Sequence, residues 1–322
     1  MATSKVKVGL IGAGAFSDFC LKGYQHIKNI ELTSIYDPNS GNADNIAKKY
    51  KIKNIASSAQ EIIEDKDIKI VVVLTPPRTH FEYAFEAVKN GKNVLVEKPI
   101  AFNIKDAEKL INLAIKNKVF ITTNLVLRYH LMHQKIKSIV ESGKYGSLRQ
   151  IITSALLAKY PDGHWYWDPK ISGGFFLNTY THFIDLYNYI LGENPSDLKS
   201  YGSVEKGHTI ICDYADKARA TLSVNLKVSN SQEAIHTNYI FDKAVIRTSD
   251  WFPSTMTTIL DSGRVIKTAA PEKLSYYQEV LSNILSDLVK KINNPEYVSI
   301  IDYNVLLSSV VNPTKAEENR EV

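Results

Sequence analysis

The chain is predicted to be an α/β protein of two parts, a doubly wound parallel sheet followed by an α+β domain with a mainly antiparallel sheet. Three observations predict it. Up to about residue 124, short apolar runs alternate with amphipathic helical runs, as expected of parallel strands covered on both faces. Beyond that point the strand-like runs follow one another at antiparallel spacing, with few helices between them. The length of 322 residues suffices for two domains, each with its own core.

In the first part, strands are predicted at 6–11, 31–36, 70–74, 93–96 and 119–123. They are β-branched and apolar throughout, which suits burial on both sides. Helices are predicted at 16–27, 42–50, 59–64, 79–90 and 105–117, and Gly91 supplies a stop for the fourth. The domain boundary is placed near 124–128, giving domains 1–124 and 125–322. The second part opens with a helix at 132–142 ending at Gly143. Strands follow at 150–158, 200–205, 209–214, 219–226, 233–241 and 244–248. Helices at 179–191 and 273–292 interrupt and follow them. The polar stretch 312–322 is expected to be loosely ordered.

Composition narrows the function. The chain is 44% hydrophobic and 23% charged, with a net charge of +5. Its lysines form no block, so nucleic acid is not an expected partner. No apolar run is long enough to span a bilayer, so no membrane partner is expected. With only two cysteines, Cys20 and Cys212, no disulfide framework is implied. A strand starting near Val6 leaves no room for a signal peptide, and a cytoplasmic location is expected.

The first strand runs into Gly12-Ala13-Gly14-Ala15-Phe16-Ser17, which fits G-x-G-x-x-G with serine in the third position. The first glycine permits a tight turn, and the second lets the backbone approach a pyrophosphate at the helix N-terminus. Asp37 ends the next strand, where a carboxylate accepts the ribose hydroxyls of an adenosine and repels a 2′-phosphate. NAD is therefore expected in preference to NADP. Thr75-Pro76-Pro77-Arg78-Thr79-His80 follows a middle strand as an extended wall along the dinucleotide. Asn93–Pro99 is another buried strand, ending in Glu97, Lys98 and Pro99. It puts a cation on the sheet edge where ligands bind in open α/β folds.

These motifs, with Leu127-Arg128-Tyr129 and Ser172-Gly-Gly-Phe-Phe-Leu-Asn178-Thr-Tyr-Thr-His182-Phe-Ile-Asp185, resemble the Gfo/Idh/MocA oxidoreductases. That family is named for glucose–fructose oxidoreductase and inositol dehydrogenase. The resemblance covers nearly the whole chain. It implies a C-terminal open sheet whose face forms oligomer contacts, hence a homodimer or homotetramer, and a cis bond before Pro99. It implies a cofactor site of Gly12, Gly14, Ala15, Phe16, Asp37, Thr75, Pro76, His80, Glu97, Lys98 and Arg128. It implies a small-molecule sugar or nucleotide-sugar substrate, with a secondary alcohol exchanging a hydride with the nicotinamide.

The chemistry of the residues fits those roles. Lys98 can hydrogen-bond the alcohol oxygen and stabilise developing negative charge. His182 has an ordinary pKa near neutrality, which suits a general base. Asn178 and His182 are four apart and share a helical face, with Asp185 less than one turn further on. Asparagine replaces the aspartate of many family members at 178, which points away from a cyclitol dehydrogenase. The Ser-Gly-Gly run followed by asparagine and histidine looks more like the family's nucleotide-sugar 3-dehydrogenases. Between 160 and 170, an aromatic loop offers Trp165, Trp167 and Asp168, and with Tyr129 these are the expected sugar contacts. His130, His133 and His164 have no metal spacing, so no metal is expected. Two alternatives stand beside this reading, a free polyol or cyclitol dehydrogenase and a non-catalytic dinucleotide-sensing protein of the same fold.

Overall fold

The computed structural model describes residues 5–203, 206–228, 234–270 and 276–321. In chain order the elements begin with β1 (Val6–Ile11), α1 (Ala15–Tyr24), β2 (Ile30–Tyr36), α2 (Ser40–Tyr50), β3 (Asn54–Ile55), α3 (Ala59–Glu64), β4 (Ile70–Val73), α4 (His80–Lys89), β5 (Asn93–Val96), α5 (Ile104–Asn117) and β6 (Ile121–Thr123). They continue with α6 (Leu131–Glu141), β7 (Leu148–Ala158), α7 (Pro169–Ser172), α8 (Thr181–Leu191), β8 (Asp197–Ser203), β9 (Gly207–Tyr214), β10 (Ala218–Val228), β11 (Ala234–Phe241), β12 (Ala244–Ser249), β13 (Thr255–Leu260) and β14 (Val265–Ala269). Last come α9 (Tyr276–Asn293), α10 (Tyr303–Glu318) and β15 (Arg320–Glu321).

The chain divides into two compact units. One is drawn from Met1–Val126, Asp168–Gly174 and Leu274–Val310, the other from Leu127–Trp167, Phe175–Lys273 and Val311–Val322. The single boundary expected near 124 is therefore incomplete, because later segments return to the first unit. The main cause is helix packing. α9 lies against α1, with Phe19 and Tyr277 rings 4.9 Å apart. Gly23 on α1 makes this possible, since a Cβ there would sit 2.4 Å from the Gln278 carbonyl oxygen.

In the first unit six parallel strands run in the order β3-β2-β1-β4-β5-β6. β4 and β6 are buried at every residue, and only the first residue of β5 is partly accessible. Continuous Val/Ile/Leu runs produce this, because helices cover both faces of a parallel sheet. Helix ends follow local chemistry. The Asn103 side chain accepts from the Asp106 backbone N–H at 2.9 Å to start α5. Gly91, with φ of +73°, follows α4 as expected.

In the second unit nine strands form a sheet in the order β14-β13-β12-β11-β7-β10-β9-β8-β15. Only β7–β10 and β8–β15 pair in parallel, so the sheet is mixed and mainly antiparallel. β9 alternates buried and half-buried residues along its length, the mark of a sheet with one covered face. α8, buried at nine of its residues, packs there, and Tyr214 donates to the Asn188 side-chain oxygen at 2.7 Å.

Several expectations are corrected. β3, β13, β14 and α10 were not anticipated. The helix expected at 179–191 begins with a π-helical turn, Phe176–Tyr180, before α8. The tail is ordered through Glu321. β15 adds to the edge of β8, and Asn319 donates to the Leu198 carbonyl at 2.8 Å. An unpaired strand edge offers backbone partners even to a polar segment. The expected strand and helix ends at 204–205, 233 and 273–275 fall outside the described residues, as does Val322. No described helix is long and apolar enough to cross a membrane.

Candidate active site

The glycine turn shows two glycines used differently. Gly12 has φ of +104°, and a Cβ would lie 2.4 Å from the Leu74 carbonyl oxygen. Only glycine fits between β1 and β4 there. Its N–H donates to the Tyr36 carbonyl at 2.8 Å, and its carbonyl accepts from the buried Ser17 hydroxyl at 2.9 Å. Ser17 thus closes the turn from the third motif position. Gly14 has an ordinary φ of −74°, and a Cβ would meet nothing within 4 Å. No protein contact requires glycine at this position. It heads α1, no side chain caps the helix, and Gly14 and Ala15 are exposed. The uncapped N–H groups and the cleared space form a cradle for an anionic group.

Asp37 lies at the carboxyl end of β2. One of its oxygens accepts from the Ala13 N–H at 2.7 Å, the other from the Asn39 N–H at 2.9 Å. Each oxygen keeps a second lone pair. Asp37 therefore both braces the glycine turn and presents acceptors beside it.

Thr75 and Pro76 leave the end of β4, and the Thr79 hydroxyl donates to that of Thr75 at 2.8 Å. His80 is buried. Its Nδ1 lies 2.9 Å from the Pro99 carbonyl and its Nε2 2.7 Å from the Thr75 carbonyl. The ring ties the loop after β4 to the loop after β5, and burial pulls its pKa down to about 4. His80 was expected to contact cofactor; here its nitrogens face two carbonyl oxygens, and the neutral ring donates to one of them.

At the end of β5 the Lys98–Pro99 bond is cis. Glu97 is buried and accepts from the Lys98 N–H at 2.7 Å and from the Asn124 amide at 2.9 Å. It too braces the loop, beside the cofactor contact expected of it. Lys98 is half-buried. Burial holds its ammonium below the ordinary lysine range, and the Glu97 carboxylate opposes that shift. The same burial raises the Glu97 carboxyl, opposed mainly by the Lys98 charge.

In the second unit Arg128 is committed to Asp185. Its Nε donates at 2.8 Å and its Nη2 at 2.7 Å, to different carboxylate oxygens, and both side chains are buried. The guanidinium lies 5.2 Å from the Tyr189 ring centroid. This ion pair gives Asp185 its partner and Arg128 a structural role, beside the cofactor contact expected of it. Tyr129 beside it is buried. Asn178 lies buried in the π-helical turn and His182 in the first turn of α8, so the regular helical face expected to join them is interrupted. The His182 ring stands edge-on to Trp251 at 5.8 Å.

The aromatic loop folds onto itself. Tyr160 stacks on His164 at 4.6 Å and packs against Tyr166 at 4.6 Å, while Trp167 stacks on Phe175 at 6.2 Å. A cavity of about 430 Å³ lies against it, lined by Leu157, Ala158, Tyr160, Tyr166, Phe175, Thr179, Leu226 and Trp251. The expected sugar contacts Trp165 and Trp167 are not in this lining, and Trp165 is 42% exposed. Asp168 is exposed and caps α7, accepting from the Lys170 N–H at 2.9 Å. The loop's clustered aromatics flagged the region but not which rings turn inward. Trp251, which follows β12, had no local signal. Among the described residues no cluster of three His, Cys, Asp or Glu could hold a metal.

Sequence comparison matches both halves of the chain. The oxidoreductase family's NAD-binding Rossmann fold matches residues 6–125, and the GFO/IDH/MocA C-terminal domain matches residues 133–242. The chain belongs to the GFO/IDH/MocA family. Residues 6–125 of the first unit are thus the family's NAD-binding Rossmann fold. A myo-inositol 2-dehydrogenase of Thermotoga maritima is 28% identical over 200 residues, 62% of this chain and 59% of that protein. A dTDP-3,4-didehydro-2,6-dideoxy-alpha-D-glucose 3-reductase of Saccharopolyspora spinosa is 24% identical over 54% of this chain and 52% of its own length. The chain thus spans less than two thirds of these relatives. A levoglucosan dehydrogenase, solved in complex with NADH and levoglucosan, superposes with a TM-score of 0.88 over 98% of this chain and 97% of its own, at 18% identity. That likeness is one of fold.

Proposed function

We propose that this GFO/IDH/MocA protein is an NAD-dependent oxidoreductase acting on a secondary alcohol of a sugar or polyol. The observation behind it is Lys98 at the carboxyl end of β5, on the same sheet edge as the open space at Gly14. The uncapped start of α1 is suited to the pyrophosphate, with Gly14, Ala15 and Phe16 around it. Asp37 offers its free lone pairs to the ribose hydroxyls, and its charge disfavours a 2′-phosphate. Bound NAD supplies a hydride acceptor. Lys98 hydrogen-bonds the alcohol oxygen, and its ammonium stabilises negative charge as the C–H bond breaks. His182 is the proposed acceptor of the hydroxyl proton, and Asn178 a proposed substrate contact.

Purified protein should bind NAD more tightly than NADP in paired titrations. It should form NADH, read at the nicotinamide absorbance, with at least one member of a panel of sugars, cyclitols and nucleotide-sugars. Tight NAD binding with no turnover across the panel would favour a dinucleotide sensor, and tighter NADP binding would remove the role given to Asp37.

A further inference from the structure

We propose that the cavity under the aromatic loop is a subsite for an uncharged pyranose ring, so that the substrate is a neutral sugar or glycoside and not a nucleotide-sugar. The proposal rests on the sugar-oxidoreductase reading above and goes further, to the substrate class. The cavity's volume of about 430 Å³ falls within the common range for small-ligand sites, about 300–1,000 Å³. Four of its eight lining residues, Tyr160, Tyr166, Phe175 and Trp251, are aromatic. The C–H face of a pyranose carries partial positive charge and packs on the negative face of an aromatic ring. Leu157, Ala158 and Leu226 add apolar wall, while Tyr160 and the Tyr166–Thr179 pair, whose hydroxyls bond to each other, supply the polar atoms. A sugar needs this mixture, apolar on one side and hydroxyl-rich at the rim.

Charge decides against a nucleotide. Two linked phosphates carry negative charge that proteins meet with arginine, lysine or helix N-terminal N–H groups. Among the described residues lining the cavity there is no cation. Lys159, next to the lining residue Tyr160, is exposed and paired with Asp162 at 2.9 Å. Among the described residues of this unit, the only buried arginine is Arg128, already bonded to Asp185. The walls are also built in advance. Tyr166 packs edge-on against Phe175 at 5.6 Å, and the Trp167 indole N–H holds the Tyr160 carbonyl at 3.1 Å. A wall ordered before binding loses little freedom when the ring enters.

Calorimetric titration of the full chain, without cofactor, with methyl glucopyranoside, maltose and dTDP-glucose tests the proposal. The neutral glycosides should bind with affinities unchanged between low and moderate salt. The dTDP-sugar should bind no more tightly than they do. Trp251→Ala should weaken glycoside binding by about tenfold or more. Tyr166→Phe, which keeps the ring, should weaken it less and guards against a misfolded alanine variant. Binding of dTDP-glucose tenfold tighter than the glycosides, with salt-sensitive affinity, would overturn the proposal, as would no heat from any of the three. Because no cofactor is present, such a failure is separate from a failure of the oxidoreductase reading, which NAD titration and NADH formation report.

Discussion

The glycine turn after β1 and the aromatic cavity of the second unit are both proposed recognition surfaces, but they are specified in different ways. In the turn, three positions within six consecutive residues each have one feature: Gly12 a positive φ, Gly14 open space where a Cβ would be, Ser17 a small donor. In the cavity, the eight lining residues come from the strands β7 and β10, the aromatic loop, the π-helical turn and the segment after β12. A surface confined to one turn can be read from its order of residues. A surface assembled from five segments becomes visible only once the chain is folded.

The largest expected effect breaks the assignment of Arg128 to packing. Arg128→Met would leave the Asp185 carboxylate buried without its partner, and should destabilise the protein by about 3–5 kcal/mol. Thermal or denaturant unfolding reads this. Wild-type stability with weakened NAD binding would return Arg128 to the cofactor, as the family pattern implied.

The two glycines sharpen the contrast within the turn itself. Gly12→Ala forces a Cβ toward the Leu74 carbonyl at a strained φ, and should cost about 1–3 kcal/mol of stability. Gly14→Ala adds a Cβ to open space. Its melting temperature should stay close to wild type, while NAD binding weakens. Equal loss of stability in both would mean that Gly14 serves the fold and not the ligand.

A smaller effect is expected in the pH profile. If the Lys98 ammonium stabilises the reacting oxygen, oxidation should fall as pH rises through the lysine's pKa, which burial holds below the ordinary value of 10.5. The Glu97 charge supports the ammonium, so Glu97→Gln should move that alkaline limb to lower pH. A limb that stays in place would detach Glu97 from the Lys98 equilibrium.

Much of the fold was legible. Except for the two-residue β3, the strands of the first sheet are marked by apolar runs between helix signals, and the predicted and observed positions of β1, β2, β4, β5 and β6 agree closely. Where a reading failed, a non-local contact was the reason. Gly23 looked like any residue of a helix until α9 packed on it. The polar tail held no strand signal, yet the edge of β8 captured Arg320 and Glu321. His80 and Glu97 sit in conspicuous motifs, and no local pattern announces their contacts to backbone groups and to Asn124. The Trp-rich stretch was noticed, but Tyr160 and Tyr166 line the cavity and Trp165 does not.

The most direct test of the central claim is Lys98→Met, measured for NAD affinity and for NADH formation with a sugar that the wild-type protein oxidises. The side chain lies at the end of β5, whereas the pyrophosphate and adenosine contacts proposed here lie at the ends of β1 and β2. NAD affinity should therefore remain within a few-fold of wild type, while turnover falls by roughly two to four orders of magnitude. Turnover near the wild-type rate in a folded variant would contradict the account and remove Lys98 from the chemistry.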